Sequence, residues 1–366
     1  MTRIVNRTAG LLLLLLLLAS SASAQSNIRN ARIESRPGAD LAGTFQTLSN
    51  VAGPMWIGYA VPAQDPEWNA CCYGSRREGP ACCGGCSLEE GRSSGTSVGS
   101  AGAARAPIQL EPAKQAVVLY RIANRQVQRI RTYSESCEID AGGASVYWLN
   151  GVSTPASIEL LLRWASRAEA DVDRHDGIGD AAIFAIAAHG DTAADRVLAT
   201  LMAPDKPVAT RRQAAFWAAN ARGRTGFELV RKALLDVANP EAFRKHLVFA
   251  VSQSREAEAV DTLTSVARSD VNPTVRGEAL FWLAQKAGRK ATGAITDAIE
   301  NDPDTKVKER AVFALSQLPQ DEGVPKLIAV ARTNRNPAVR KQAIFWLGQS
   351  RDSRALDFFV ELLARP

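Results

Sequence analysis

From residue 179 onward the chain sets short apolar clusters between polar turns at a fixed interval. The segments AIFAIAAHG (182–190), AAFWAANAR (214–222), LVFAVSQSR (247–255), ALFWLAQKA (279–287), AVFALSQLP (311–319) and AIFWLGQSR (343–351) align on Phe184, Phe216, Phe249, Phe281, Phe313 and Phe345. The spacings between these phenylalanines are 32, 33, 32, 32 and 32 residues. A period of that length marks a stacked supersecondary unit. Each unit reads as two helices. The first carries the Phe cluster. The second has apolar residues at i, i+3, i+4 and i+7, as in Val230/Ala233/Leu234/Val237, Val260/Leu263/Thr264/Ala267 and Val324/Leu327/Ile328/Ala331. Neither helix can bury its stripe alone, so stacked hairpins would share one continuous core.

Other columns keep the same period. Gly179, Arg211, Arg244, Arg276, Lys308 and Arg340 lie five residues before the phenylalanines. The arginines are expected to bond the turn acid or a carbonyl of the next repeat. Ala188, Asn220, Gln253, Gln285, Gln317 and Gln349 lie four residues after, where the amides would satisfy free helix-end carbonyls. Asn239-Pro240, Asn272-Pro273, Asp302-Pro303 and Asn336-Pro337 predict helix starts: the side chain accepts an orphan N–H, and Pro at N1 has none to lose. The residue after each Phe alternates between Ala185, Ala250, Ala314 and Trp217, Trp282, Trp346. These tryptophans are expected to be core knobs over small neighbours. A seventh, divergent unit is expected to open the array, with a first helix around Val146-Tyr-Trp-Leu149 and a second at Ile158/Leu161/Leu162/Ala165.

The pattern N-P-x-V-R-x-x-A-L/I-F-W-L, at Asn272 to Leu283 and Asn336 to Leu347, resembles the HEAT repeat in its short, PBS-lyase HEAT-like form. The resemblance covers about 145–366 and implies a mainly α fold, an armadillo-like solenoid of about seven helical hairpins. The family includes scaffolds, bilin lyases and a metal-dependent hydroxylase. The hydroxylase's repeated His-Glu pairs have no counterpart here, and nothing in the sequence suggests a tetrapyrrole site. The likeness therefore implies a fold and leaves activity open.

Residues 25–144 lack the repeat. Met55 to Val61 reads as a strand, and Ala116 to Ile122 with Val127 to Tyr133 as a β-hairpin around Ala123-Asn-Arg-Gln126. This small β-rich domain is expected to cap the array if the hairpin docks on the first repeat. Arg121, Arg125, Arg129 and Arg131 make the hairpin basic, a candidate contact for an acidic partner. Cys71, Cys72, Cys82, Cys83, Cys86 and Cys137 are the six cysteines. An even number in an exported chain favours disulfides, with Cys137 tying the loop to the helical array; five clustered thiols keep zinc as the rival.

Export is itself an expectation. Arg3 and Arg7, the leucines Leu11 to Leu18 and the small residues through Ala24 form the three regions of a secretory signal peptide (1–24), placing the mature chain in the periplasm or outside the cell. No later segment is apolar enough for a membrane anchor. Net charge is +6, and without residues 1–24 the 42 basic and 38 acidic residues leave only +4, interspersed, which argues against nucleic acid.

Candidate chemistry is thin. Gly95-Thr-Ser97-Val-Gly99 lies in a Gly/Ser-rich stretch without a preceding strand, and His175, His189 and His246 lack metal-ligand spacing. Catalytic residues, cofactor and resident metal are all expected to be absent. The leading expectation is an extracytoplasmic protein-binding or assembly scaffold, with the second helices lining a concave surface. Leu356, Phe358, Phe359 and Leu362 would form an apolar C-terminal edge open to a partner or to self-association. The alternatives are a ligand- or metal-binding module centred on the cysteine loop, or a lyase-like enzyme.

Overall fold

The computed structural model describes residues 27–64, 86–89, 114–166 and 177–364. The chain divides into two compact units, Met1–Ala214 and Ala215–Pro366. The expected signal segment (1–24), Cys71, Cys72, Cys82, Cys83, His175 and the Ser97 motif lie outside the described residues.

In the first unit, β2 (Arg32–Pro37), β8 (Ser145–Asn150), β3 (Met55–Pro62), β5 (Gln115–Ala123) and β6 (Gln126–Ser134) form a five-stranded sheet in the order β2-β8-β3-β5-β6. β8 runs parallel to β2 and β3, while β3, β5 and β6 are antiparallel neighbours. A smaller sheet joins β1 (Ile28–Arg29), β7 (Ile139–Asp140) and β4 (Cys86–Ser87). Trp56, Val117, Leu119, Tyr133, Val146 and Trp148 pack into one cluster with Cys137, which is buried and disulfide-bonded. The β5–β6 turn holds Asn124 at φ 55 and Arg125 at φ 60, the two left-handed positions of a tight hairpin. Asn tolerates that region, and Arg pays for it. Arg125→Gly is expected to stabilise the hairpin by about 0.5–1 kcal/mol, read as a higher midpoint in thermal unfolding.

The opening repeat is corrected. Val146 to Leu149 is strand, not helix: Val146 and Trp148 are fully buried while Tyr147 between them is half-buried, a period of two. The segment also sits between Gly142 and Gly143 on one side and Gly151 on the other, all at positive φ, so no helical turn extends in either direction. The β fold therefore reaches Asn150, past the expected boundary at 144. The expected second helix is present as α2 (Thr154–Ala165), capped by the Ser153 hydroxyl. An earlier helix, α1 (Leu41–Ser49), was not foreseen.

The first hairpin, α3 (Ile178–Ala188) and α4 (Ala193–Leu201), belongs to this unit, and α3 packs on β6 and α2. Gln64 donates its backbone N–H to Ala188 O, and Gly190 donates to Pro62 O. The β-hairpin thus does dock on the first repeat. α5 (Val208–Ala221) runs from this unit into the next.

In the second unit α6 (Gly223–Leu235) is followed by the hairpins α7 (Glu241–Gln253) with α8 (Glu258–Ser269), α9 (Pro273–Ala287) with α10 (Thr292–Asn301), α11 (Thr305–Ser316) with α12 (Gln320–Thr333), and α13 (Pro337–Gln349) with α14 (Ser353–Ala364). First helices pack on first helices, α7 on α9, α9 on α11 and α11 on α13. This is the α-solenoid that the period implies.

Two columns lock the stack. The Arg244 side chain donates to Leu234 O behind it and to the Asp270 carboxylate ahead; Arg276 donates to Asp270 O and, at 2.8 and 3.0 Å, to Asp302. Both pairs are almost wholly buried. Asp302 is thus a clamp and not a helix cap. The capping carboxylate is Asp304, in register with Asn272 and Asn336, and α7 starts at Glu241 with no side-chain cap from Asn239. The second column was not read from the sequence. Ten residues after each Phe of this unit stand Gly226, Ala259, Ala291, Gly323 and Ala355, where the second helix crosses closest to the first. A Cβ at Gly226 would lie 1.9 Å from Ala218 O, and one at Gly323 2.6 Å from Leu315 O, so nothing larger than these residues fits the crossing.

Candidate partner-binding surface

In the second unit the phenylalanines flank the buried Leu and Ala stripe of each first helix, so their rings reach the rim of the core instead of its centre, whereas Phe184 in the first unit is buried. Phe216, Phe249, Phe281 and Phe313 are half-buried, and Phe345 is 52% exposed. Trp217, Trp282 and Trp346 are half-buried as well, which corrects their reading as core knobs. The Ala–Trp alternation lets Trp282 and Trp346 lean onto the Phe of the preceding repeat. Phe216 and Phe249 stack with centroids 5.8 Å apart, and Phe249 meets Trp282 at 4.8 Å. Trp282 meets Phe281 at 5.0 Å, Phe281 and Phe313 stack at 5.4 Å, Phe313 meets Trp346 at 4.8 Å, and Trp346 meets Phe345 at 5.0 Å. With Trp217 against Phe216, eight rings form one unbroken ribbon. Each pair adds about 0.5–1.5 kcal/mol beyond its burial, so the ribbon is rigid as well as partly open.

Amides run along one edge. Gln253, Gln285, Gln317 and Gln349 are exposed, and Gln285 approaches Gln317 across the repeat at 3.5 Å. They do not close helix-end carbonyls as expected: Gln253 donates to Ser252 Oγ and Gln317 to Ser316 Oγ. The other edge is charged. Glu278 accepts from Trp282 Nε1 at 2.8 Å and pairs with Arg310, whose guanidinium lies 5.3 Å from the Phe313 centroid; Glu309 pairs with Lys306. Lys245 and Lys341, one turn before Phe249 and Phe345, have no ion pair among the described residues. Trp346 Nε1 is shielded from solvent and has no acceptor, unlike its counterpart in Trp282. The Trp346 ring borders two grooves, one of about 200 Å³ with Gln317 and Gln349 and one of about 290 Å³ with Lys306, Arg310 and Gln342.

Charge separates by helix. α7, α9, α11 and α13 together carry nine basic and three acidic side chains, whereas α8, α10, α12 and α14 carry four basic and eight acidic. Arg244 and Arg276 are buried in the clamps, which leaves seven basic side chains on the first helices outside them. On the second helices, the groove of about 380 Å³ beside Arg224, Glu228, Arg231 and Glu258 is lined by charges that pair with one another.

The surfaces expected from the sequence are only partly present. Arg121 is held by Glu89, which also accepts from Trp56 Nε1. Burial pushes the Glu89 carboxyl up, but the hydrogen bonds from Arg121 and Trp56 and the charge of Arg121 outweigh it and hold the carboxyl below its ordinary value. Arg131 is buried, Arg129 half-buried, and Arg125 projects from the turn. Arg129 on β6 stands opposite Arg121 on β5 and Arg131 follows two residues on along the same side, but burial of Arg131 and the pairing of Arg121 with Glu89 leave little of that charge open. On α14, Leu356 and Leu362 are exposed together with Val360 and Leu363, and Phe359 is half-buried. Phe358 points inward, 4% exposed, with the Arg332 guanidinium 5.6 Å from its ring centroid. His246 is not solvated freely; its ring packs edge-on against Phe249.

One arrangement has the distances of a nucleophile–base pair. His189 Nε2 lies 2.8 Å from Ser157 Oγ, which lies 2.7 Å from Tyr59 Oη, in turn 2.8 Å from Tyr120 Oη. His189 Nδ1 is 2.6 Å from Ala185 O, a group that only accepts, so Nδ1 carries the hydrogen. For a neutral ring the order follows: Tyr120 donates to Tyr59, Tyr59 to Ser157 and Ser157 to His189. Burial pushes the Tyr59 hydroxyl up to about 12 and Tyr120 higher than usual, so both remain protonated donors. All four side chains have 0% exposure, which leaves a substrate no approach to the hydroxyl. The network pins the sheet to α2 and α3. Sequence reading missed it because its members are 32 to 98 residues apart. Among the described residues no three His, Cys, Asp or Glu side chains converge as metal ligands, and no helix is long and apolar enough to cross a membrane.

Residues 293–366 match the family described as HEAT repeats. No curated protein matches the sequence. Among solved structures, human deoxyhypusine hydroxylase in complex with glycerol is similar at 18% identity and a TM-score of 0.29, covering 57% of this chain and 81% of its own. The complex of CpcE and CpcF of phycocyanin lyase from Nostoc sp. PCC7120 is similar at 18% identity and a TM-score of 0.27, covering 50% of this chain and 74% of its own. Residues 293–366 are thus HEAT repeats by family match, and the Phe period and first-helix stacking that run through them make the rest of the helical array HEAT-like.

Proposed function

We propose that this chain is an extracytoplasmic protein-binding scaffold that performs no catalysis and captures a protein partner on the first-helix side of its repeats. The aromatic ribbon carries this reading: eight rings in contact, partly open to solvent, on the helices that also hold most of the unpaired positive charge. A monomer seldom leaves a contiguous aromatic strip of this kind uncovered unless something binds it. The signal-like pattern of residues 1–24 favours an assembly role outside the cytoplasm, with the cysteine loop stapled by disulfides, and the exposed Leu356, Val360 and Leu363 on α14 offer a second apolar contact, for a partner or another copy. The test is affinity capture from the exported fraction with Phe281→Ala/Phe345→Ser and, separately, Leu356→Asp/Leu363→Asp. The ribbon variant is expected to lose a partner that the α14 variant keeps. Identical profiles for the unchanged and ribbon proteins would remove the ribbon from the case.

A further inference from the structure

We infer that the occupant of the ribbon is an extended, acidic, proline-containing peptide segment, lying across the first helices at about three residues per repeat. The inference rests on the scaffold reading and adds the chemistry of the partner.

Three features point the same way. The first is period. Packed helices lie about 8–10 Å apart, and one turn of a polyproline II helix spans three residues, about 9.3 Å. An extended peptide laid across the stack therefore presents the same side to every repeat. Ring contacts continue from Phe249 through Trp282, Phe281 and Phe313 to Trp346, so each turn meets an aromatic floor. Prolines suit such a floor because they are apolar and already ordered. The second is the amide row. A polyproline II backbone makes no internal hydrogen bonds, so its carbonyls and remaining N–H groups need partners. Gln253, Gln285, Gln317 and Gln349 recur once per repeat along one edge, each with a donor and an acceptor. Trp346 Nε1, buried without an acceptor beside the groove at Gln317 and Gln349, is a donor still to be satisfied. The third is charge. The acids beside the ribbon are occupied, Glu278 by Trp282 and Arg310 and Glu309 by Lys306. Lys245 and Lys341 are unpaired among the described residues, on helices that carry seven basic side chains outside the buried clamps against three acidic ones. The free charge along the floor is positive, which selects an acidic partner and disfavours a basic one.

The measurement is titration calorimetry of the full chain with three synthetic peptides of about twelve residues, one turn for each of four repeats. They are four repeats of Glu-Pro-Pro, of Lys-Pro-Pro and of Glu-Gly-Gly; a chitin hexasaccharide is the fourth ligand. Glu-Pro-Pro is expected to bind with Kd on the order of 10–100 µM, and at least ~10-fold more tightly than the other three. Lys245→Glu/Lys341→Glu, both at the surface, should weaken it at least ~5-fold with unchanged circular dichroism, as should Gln285→Ala/Gln317→Ala. Equal binding of the acidic and basic peptides, binding of the hexasaccharide in their place, or no Glu-Pro-Pro heat up to ~1 mM would overturn the inference. If that happens while the Phe281→Ala/Phe345→Ser chain still loses its captured partner, the scaffold reading stands and only the peptide chemistry falls. If capture is also unaffected, both fall.

Discussion

Asp302→Ala is expected to cost about 3–5 kcal/mol, a loss comparable to removing a large core side chain. Asp302 receives two hydrogen bonds from Arg276 and one from the Asp304 N–H, and its side chain is 5% exposed. Without it the Arg276 guanidinium keeps only its hydrogen bond to the Asp270 carbonyl and remains a buried cation without its ion-pair partner. The Asp302 carboxylate now raises the guanidinium's pKa, although burial opposes it. Truncating Arg276 in the same chain should recover part of the loss, since removing both charges removes the mismatch. The measurement is denaturant unfolding followed by helical circular dichroism for Asp302→Ala, Arg276→Met and the double variant. Additive losses would show that the two side chains do not act as a pair. Because neighbouring repeats hold one another, α9 to α12 should lose amide protection first.

Ser157→Ala should destabilise the first unit by about 2–5 kcal/mol, although it deletes a single oxygen. Ser157 Oγ joins His189 Nε2 to Tyr59 Oη where all three are sealed from solvent. The methyl leaves one acceptor and one donor buried and unpaired, each at about 1–3 kcal/mol. Adding Tyr59→Phe to Ser157→Ala should cost less than the sum of the two single changes, because the phenylalanine no longer presents an orphan hydroxyl. Thermal unfolding followed by near-ultraviolet circular dichroism reads this directly. A loss under about 0.5 kcal/mol for Ser157→Ala would mean that water reaches the network and that the hydroxyl is not sealed.

The period was legible because a repeat writes the same physical demand six times. Asn272 and Asn336 cap helices as read, since the cap is a local bond to the next two or three backbone N–H groups. The Arg column was also legible in kind, as a bond to turn acids and carbonyls. Which acid it used was not: Asp302 precedes a proline and mimics a cap, but the carboxylate two residues later does the capping and leaves Asp302 to Arg276. Val146 to Leu149 was misread because four apolar or aromatic residues fit either period; the flanking glycines and the buried–open alternation decide for a strand. Arg131 and Phe358 were placed on surfaces for a similar reason. A basic or aromatic residue in an apolar neighbourhood reads the same whether it faces outward or in.

By itself the sequence determined the repeat length, the two helices per repeat, the caps at Asn272 and Asn336 and the identity of each column, because these depend on interactions within a few residues. The tertiary structure decided what each column does. It turned the Phe and Trp residues into a half-open ribbon, set the basic first helices apart from the acidic second ones, and drew Tyr59, Tyr120, Ser157 and His189 into one buried chain. The reason is geometric. Helical periodicity fixes which residues share a face, but whether that face meets another helix, a strand or solvent depends on partners distant in the chain.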